Sequence, residues 1–476
     1  MSTKTKQNKY EMDMTNGPIM SNMIKFALGV LGTAVLQQLF NTADLIVVSH
    51  SGHEGALASV SATSSLINLF INLFIGLSVG AGIVVAKHYG AKDYDEASKC
   101  LHTSVAVSVI AGVVLAIVVW FVSPFMLKLM DTPTENNVLS GAIVYMRIYF
   151  LGMPFMLLYN FSASILRAVG DSKRTFFYII QAGVINVALN CLFVLVFDMN
   201  VAGVALATTI SQCYSATRCI ICFAKYDGCL KLYKDKIKIY KHSLISIARV
   251  GIPSGIQSSL FSISNVLIQS SVNSFNQASI IEGMGAAANI ESYLYFASNA
   301  VSNTVTNFTS QNFGASKPER IKKVAIYGMG LSAGVCLVLG FFGIRFSDVL
   351  LGFYTKNLSA LHYGKIRMTV ICLSQFLCSL MEITTGLLRG IFRPVPAMIS
   401  SIAGVCGFRI LWIETVFKKV RLTMGKDNAL YMLYLSYPIS WLLSFIVQGI
   451  LFMIFFRMYI KSLPEHNGKE EKVKTL

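Results

Sequence analysis

The 476-residue chain is short of charge: Asp, Glu, Lys and Arg make up 13% of it, about half the roughly 25% usual in globular proteins. So few charges do not cover a soluble surface, which excludes the two or three soluble domains that the length would otherwise accommodate. Charge is missing altogether from 55–86, 101–127, 175–197, 250–281, 292–316, 324–344 and 428–456. Each run reaches the ~20 residues that a helix needs to cross the hydrocarbon core of a bilayer. Strict polar–apolar alternation is absent too, so these runs are helices and not the strands of a membrane barrel. A cleavable signal is not apparent, because the first 17 residues are polar and carry Lys4, Lys6 and Lys9. There is no Walker A sequence and no nucleotide-binding or phosphorylation domain, which removes ATP hydrolysis as an energy source.

Metal and redox chemistry are poorly served. The seven histidines (His50, His53, His88, His102, His242, His362 and His466) fall mostly between the apolar runs and do not converge as metal ligands would. Cys219 and Cys222 form a CxxC inside an apolar segment with no second pair nearby, and buried structural thiols are the better reading. The expectation is an all-α membrane protein that is not an enzyme and holds no resident cofactor.

The apolar runs resolve into twelve spans, at 20–48, 56–86, 101–123, 141–166, 175–197, 201–224, 247–270, 279–310, 324–345, 366–388, 395–417 and 428–456. The formal net charge of +17, which in a soluble protein would point to nucleic acid, is a signal of topology here. Of the 40 Lys and Arg residues, 27 fall on the side of the N-terminus, 8 in the opposite loops and 5 within or at the edges of spans. The positive-inside rule then places both termini in the cytoplasm of a multi-pass protein of the cell membrane. The most basic stretch, 225–250, reads first as a cytoplasmic linker between halves (225–246), with a site for anionic lipid headgroups as the functional alternative. With no basic domain outside the membrane, nucleic acid is not expected as a partner.

The halves repeat at an offset near 222. LFNTADLIVV (39–48) matches LFSISNVLIQ (260–269), AKHYGAKDYDEA (86–97) matches SQNFGASKPERI (310–321), and ILRAVGDSK (165–173) matches LLRGIFRPV (387–395). Three matches in order indicate duplication. The expected organisation is a cytoplasmic N-tail (1–17), a first lobe (18–224), the basic linker (225–246), a second lobe (247–456) and a cytoplasmic C-tail (457–476). Six spans per half is an even number, so the two six-helix lobes are related by a pseudo-two-fold along the membrane normal. That arrangement suits a secondary transporter.

The repeat residues also carry a family resemblance. FALGVLGTAVLQQLFNTADLIVV, KHYGAKDYDEA, ILRAVGDSK and INVALNCLFV in the first half, with GIPSGIQ, SQNFGASKPERIKK, GLLRGIFRPVPAMI and YPISW in the second, resemble the multidrug and toxic compound extrusion family over residues 17–457. The resemblance implies export of cationic or amphipathic organic compounds in exchange for Na⁺ or H⁺ by alternating access, with a monomer expected. Two departures stand out. Gly29 occupies the helix-one position where the family usually has proline, while Pro253 keeps the equivalent in helix seven. Asn190 stands where several members have Asp in helix five, which argues against a paired-carboxylate proton site in the first lobe.

An ionisable residue deep in a span costs about 2.5–3.5 kcal/mol even on insertion scales, so it is a functional candidate by default. Asp44 follows 18 uncharged residues, with Asn41 one turn before it, and the family's helix-five pattern brings Asn186 and Asn190 to the same lobe. A carboxylate with amide oxygens suits Na⁺; a proton neutralises the same charge equally well. Glu382 and Glu291 are the acidic candidates for substrate in the second lobe, and Asn160 is the repeat counterpart of Glu382. Glu291 has a structural alternative, pairing with Arg147, Arg367 or Arg409, and Glu414 has one in Lys418 four residues on. Tyr145, Tyr149, Tyr159, Tyr293, Met153 and Met156 offer adaptable walls for flat cations, and Gln257 and Asn265 are in-span polar groups that line a path or join helices. Two rival functions are weighed: a lipid-linked saccharide flippase of the same superfamily, disfavoured by twelve spans and acidic residues, and a membrane-embedded enzyme.

Overall fold

The structure is a computed structural model that describes residues 10–49, 55–130, 132–134 and 137–463, the side chain of Ser65 excepted. His50, His53, His466 and the outer parts of both tails lie outside the described residues. The regular elements are helical. The first six membrane-length helices are α1 (Ile19–Ser49), α2 (Ala56–Gly90), α3 (Tyr94–Leu129), α4 (Val138–Leu151 and Met153–Ala168), α5 (Ser172–Asn190) and α6 (Asn200–Ala224). The second six are α7 (Lys241–Asn273), α8 (Ala278–Gly314), α9 (Pro318–Arg345), α10 (Leu358–Gly390), α11 (Pro394–Ser401 through Lys418–Thr423) and α12 (Lys426–Lys461). The two pieces of α4 meet at 48° beside Gly152, where Pro154 removes a backbone donor from the helical ladder.

Among the described residues, eight helices and the bent α4 pair are apolar enough to cross a membrane. The other three, α6, α7 and α8, are long enough at 25, 33 and 37 residues, but Ser, Thr, Asn and Gln recur along them and lower their hydropathy. Large apolar side chains such as Ile117, Phe121, Phe125, Ile326 and Phe341 are exposed, as a lipid-facing surface requires.

The chain forms two compact units. Unit 1 takes the N-terminal segment as far as Asp13 together with Gly32–Gly255; unit 2 takes Met14–Leu31 and everything from Ile256. Of the three boundaries, one precedes α1, two fall inside helices α1 and α7, and none falls in the basic linker.

In unit 1 the second piece of α4 packs against α2, α3 and α6, and α5 packs against α6. Its core centres on Tyr145, Met146 and Phe150 of α4, with the Phe70 and Phe150 rings edge-to-face at 5.6 Å. A second contact has almost no side chains in it. Gly76 and Gly80 of α2 face Gly255 and Gly251 of α7, and a Cβ built on Gly76 would lie 2.1 Å from the Gly255 backbone nitrogen. This is a small-xxx-small pairing on both helices, the device by which membrane helices approach backbone to backbone. In unit 2, α10 is the axis: it packs on α8, α9 and α12, and 78% of its apolar stretch is buried against 33–50% for the other apolar spans.

The duplication is visible in the backbone. Lys92 and Ser316, equivalent under the repeat, both adopt left-handed φ values of 59° and 53°, and Gly170 and Phe392 do so at 90° and 61°. Asp93 and Asp171 then cap the following helices of unit 1, accepting from the backbone N–H of Glu96 and Arg174. A π-helical turn at Cys191–Val196 ends α5, and its repeat equivalent, Ile413–Phe417, lies in α11.

Candidate functional site

In unit 1 three helices bring polar groups to one point. α1 supplies Asp44, α5 supplies Asn186 and Asn190 one turn apart, and α6 supplies Thr208. Asn190 donates its side-chain N–H to Asp44 Oδ1 and also approaches Asn186 Oδ1 at 3.3 Å. The Thr208 hydroxyl donates to Asp44 Oδ2 at 3.4 Å and accepts from Asn186 at the same distance. Asn190 is fully buried and Asn186 nearly so. The Asn190 Oδ1 acceptor is buried with no hydrogen-bond partner among the described residues, an expensive state for a polar atom in an apolar surrounding. The donor set is therefore a carboxylate, two amide oxygens and a hydroxyl, one oxygen of which is unsatisfied. Hard cations are bound by such oxygens.

Sequence reasoning named Asp44, Asn186 and Asn190 but not Thr208. A threonine in a helix is common, and its hydroxyl usually returns to its own backbone, so nothing distinguished it from its neighbours. Asn41 is exposed on α1 and is not among the side chains bonded to Asp44. Three residues of α-helix leave it about 60° round from Asp44, enough to turn it off the site. Tyr145 and Tyr149 of α4 lie within electrostatic reach of Asp44, their rings 5.9 Å apart, and the Tyr149 hydroxyl meets Met156 Sδ at 3.9 Å. Asn160 spends its amide on the Met156 carbonyl of its own helix.

Unit 2 arranges its acids differently. Glu291 of α8 forms a forked ion pair with Arg367 of α10: Nε lies 2.9 and 3.1 Å from the two carboxylate oxygens, and Nη2 lies 2.7 Å from Oε2. Both residues are buried, and the guanidinium lies over Tyr434 and Tyr437 of α12. Of the three arginines read as alternatives, Arg367 is the partner; Arg147 instead stacks on Trp120 and donates to its carbonyl. Glu382 is buried, and among the described residues its carboxylate has no hydrogen bond or ion pair, only the nearby charge of Arg389. Arg389 donates to Gln257, Gln257 and Gln448 each donate to Ser401 at 2.7 Å, and Thr384 and Thr385 donate to Gln448. Gln257 thus sits in a polar chain joining α7, α10, α11 and α12. Asn265 is exposed on α7, and Tyr293 lines an apolar cavity of about 650 Å³ with Phe342, Phe346 and Phe353. Glu414 accepts from Lys418 on an exposed helix face, as its spacing predicts.

The MatE family model matches twice, over residues 30–192 and 253–412, at the spacing of the internal repeat. The probable multidrug resistance protein YoeA of Bacillus subtilis is 28% identical over 399 residues, covering 81% of this chain and 84% of that protein. The probable multidrug resistance protein NorM of Thermotoga maritima is 25% identical over 82% of this chain and 84% of its own length. Among solved structures, a MATE transporter in complex with MaL6 superposes with a TM-score of 0.88 at 20% identity, covering 96% of this chain and all of that one. An outward-facing MATE family multidrug transporter gives 0.87 at 19% identity over 95% and 99%. The twelve-helix, all-α fold is that of these transporters, and the chain belongs to the multidrug and toxic compound extrusion family, whose members are membrane transporters of small molecules and not enzymes.

Proposed function

We propose that this protein is a secondary active exporter of cationic or amphipathic organic compounds, driven by exchange against Na⁺ or H⁺. The observation that carries the reading is the buried, unpaired Oδ1 of Asn190 beside Asp44. A bare carboxylate in a span is costly, and a monovalent cation answers both that charge and the orphaned oxygen. Na⁺ would take the carboxylate, the Asn186 and Asn190 oxygens and the Thr208 hydroxyl; H⁺ would sit on Asp44 itself. Either ion neutralises the same group, so the site alternates between loaded and empty as transport proceeds. Tyr145 and Tyr149 beside it supply flat, electron-rich faces to a cationic guest, and relatives named as multidrug resistance and multidrug export proteins agree with such a cargo. The distribution of Lys and Arg supports a cytoplasmic position for both termini.

The test is ethidium efflux in everted membrane vesicles, with Na⁺ and pH gradients imposed separately. Substrate movement under one gradient supports exchange and identifies the ion. No movement under either sinks the antiporter reading.

A further inference from the structure

We propose that unit 2 contains an anion-binding site at Arg409 and Arg367, taking a compact monoanion: a halide or the carboxylate of an organic molecule. Arg409 of α11 is 3% exposed, and its partners are neutral. Nε lies 3.2 Å from the Ser440 hydroxyl, Nη1 lies 3.5 Å from the Ser264 hydroxyl, and the guanidinium rests on Tyr437 at 3.9 Å and Trp441 at 5.9 Å. Hydroxyls and rings solvate a cation without balancing its charge, and a buried charge lacking a counter-charge is strongly unfavourable.

The acids of unit 2 do not supply that charge. Glu291 gives both of its oxygens to Arg367, and Glu382 faces Arg389. Arg367 lies over the same Tyr437 ring as Arg409, and its Nη1 is buried with no partner among the described residues. Two guanidiniums therefore share one aromatic ring, one of them paired with a carboxylate and the other without one, with the Arg367 Nη1 donor left over. Paired guanidinium donors match a carboxylate or a small halide.

The backbone supports the assignment independently. Arg409 rides on a short helical piece, Phe408–Trp412, held between two π-helical turns, Ile402–Gly407 and Ile413–Phe417. Such turns re-aim side chains and gather at functional sites. The second is the repeat equivalent of the turn that follows Asn190 at the cation site. The duplicated helices α5 and α11 thus carry different polar groups just before this turn: amides turned to a carboxylate in unit 1, and a guanidinium in unit 2, at the position that Val187 holds in α5.

The experiment uses the full-length purified protein in detergent. Its melting temperature is followed against sodium chloride or sodium benzoate, with sodium methanesulfonate holding ionic strength constant. Saturable stabilisation is expected, weakened about tenfold by Arg409→Lys and abolished by Arg409→Gln, as for a charge-assisted site. Saturation by chloride alone identifies an inorganic counter-ion; saturation by benzoate as well, with chloride competing, identifies a carboxylate site. No saturation in the wild type, or an unchanged midpoint in Arg409→Gln, overturns the proposal. If that variant does not fold, a wild-type crystal soaked in bromide decides: an anomalous peak in hydrogen-bond reach of Arg409 supports the site, and its absence there refutes it.

Discussion

Asn190 reaches Asp44 across 146 positions of chain, so α5 is tied to the late part of α1 by a buried amide–carboxylate contact. Replacing Asp44 by Asn keeps the shape and removes the charge. Gradient-driven ethidium efflux is expected to fall to the level of empty vesicles, while expression and melting temperature hold, since a buried charge is lost and not created. Full gradient-driven efflux by this variant would remove Asp44 from the coupling role and leave the family assignment intact.

Thr208 donates to Asp44 and accepts from Asn186. Thr208→Val retains the volume and takes away the hydroxyl, and a hydrogen bond to a charged group contributes about 1.5–3 kcal/mol. The concentration of coupling ion for half-maximal efflux is expected to rise roughly tenfold with the maximal rate nearly kept. Measuring efflux across a range of ion concentrations separates this outcome from a general loss of activity.

The Glu291–Arg367 pair is buried and forked. Removing one partner leaves the other charge alone, which costs about 3–5 kcal/mol. Glu291→Ala should therefore lower the melting temperature markedly in detergent, whereas Glu291→Leu combined with Arg367→Met should recover much of the loss. A double variant no better than the single would mean that the pair is not the source of the destabilisation.

The crossing of α2 and α7 leaves no room for a methyl group at Gly76, because the nearest atoms there belong to the backbone of Gly255. Gly76→Leu should force the two helices apart and reduce the yield of folded protein in a size-exclusion assay. Gly330→Leu is the control: a Cβ there meets nothing within 4 Å, and its yield should match the parent.

Much of this was legible in the chain because lipid penalises charge so heavily. The scarcity of ionisable groups within spans isolated Asp44, Glu291 and Glu382, and the repeat indicated duplication before any coordinates. What escaped were contacts decided by packing. Thr208 looks like any helical threonine until α6 is laid against α1 and α5. Arg147, Arg367 and Arg409 are all open as partners for Glu291 on the sequence, and only the packing of α8 on α10 selects among them. The π-helical turns depend on local backbone register and leave no compositional trace. The three most polar helices were recognisable as spans by length, yet the same polar residues that dilute their hydropathy give them their contacts.

Those three helices have a consequence for biosynthesis. Isolated α6, α7 and α8 would be reluctant to stay in a bilayer, since each exposes hydroxyl and amide groups that hydrocarbon cannot satisfy. Helix α6 meets partners made before it, α4 and α5, whereas α8 packs chiefly on α9 and α10, which leave the ribosome after it. The middle of the chain is thus where a polar span has to wait for partners that are translated after it.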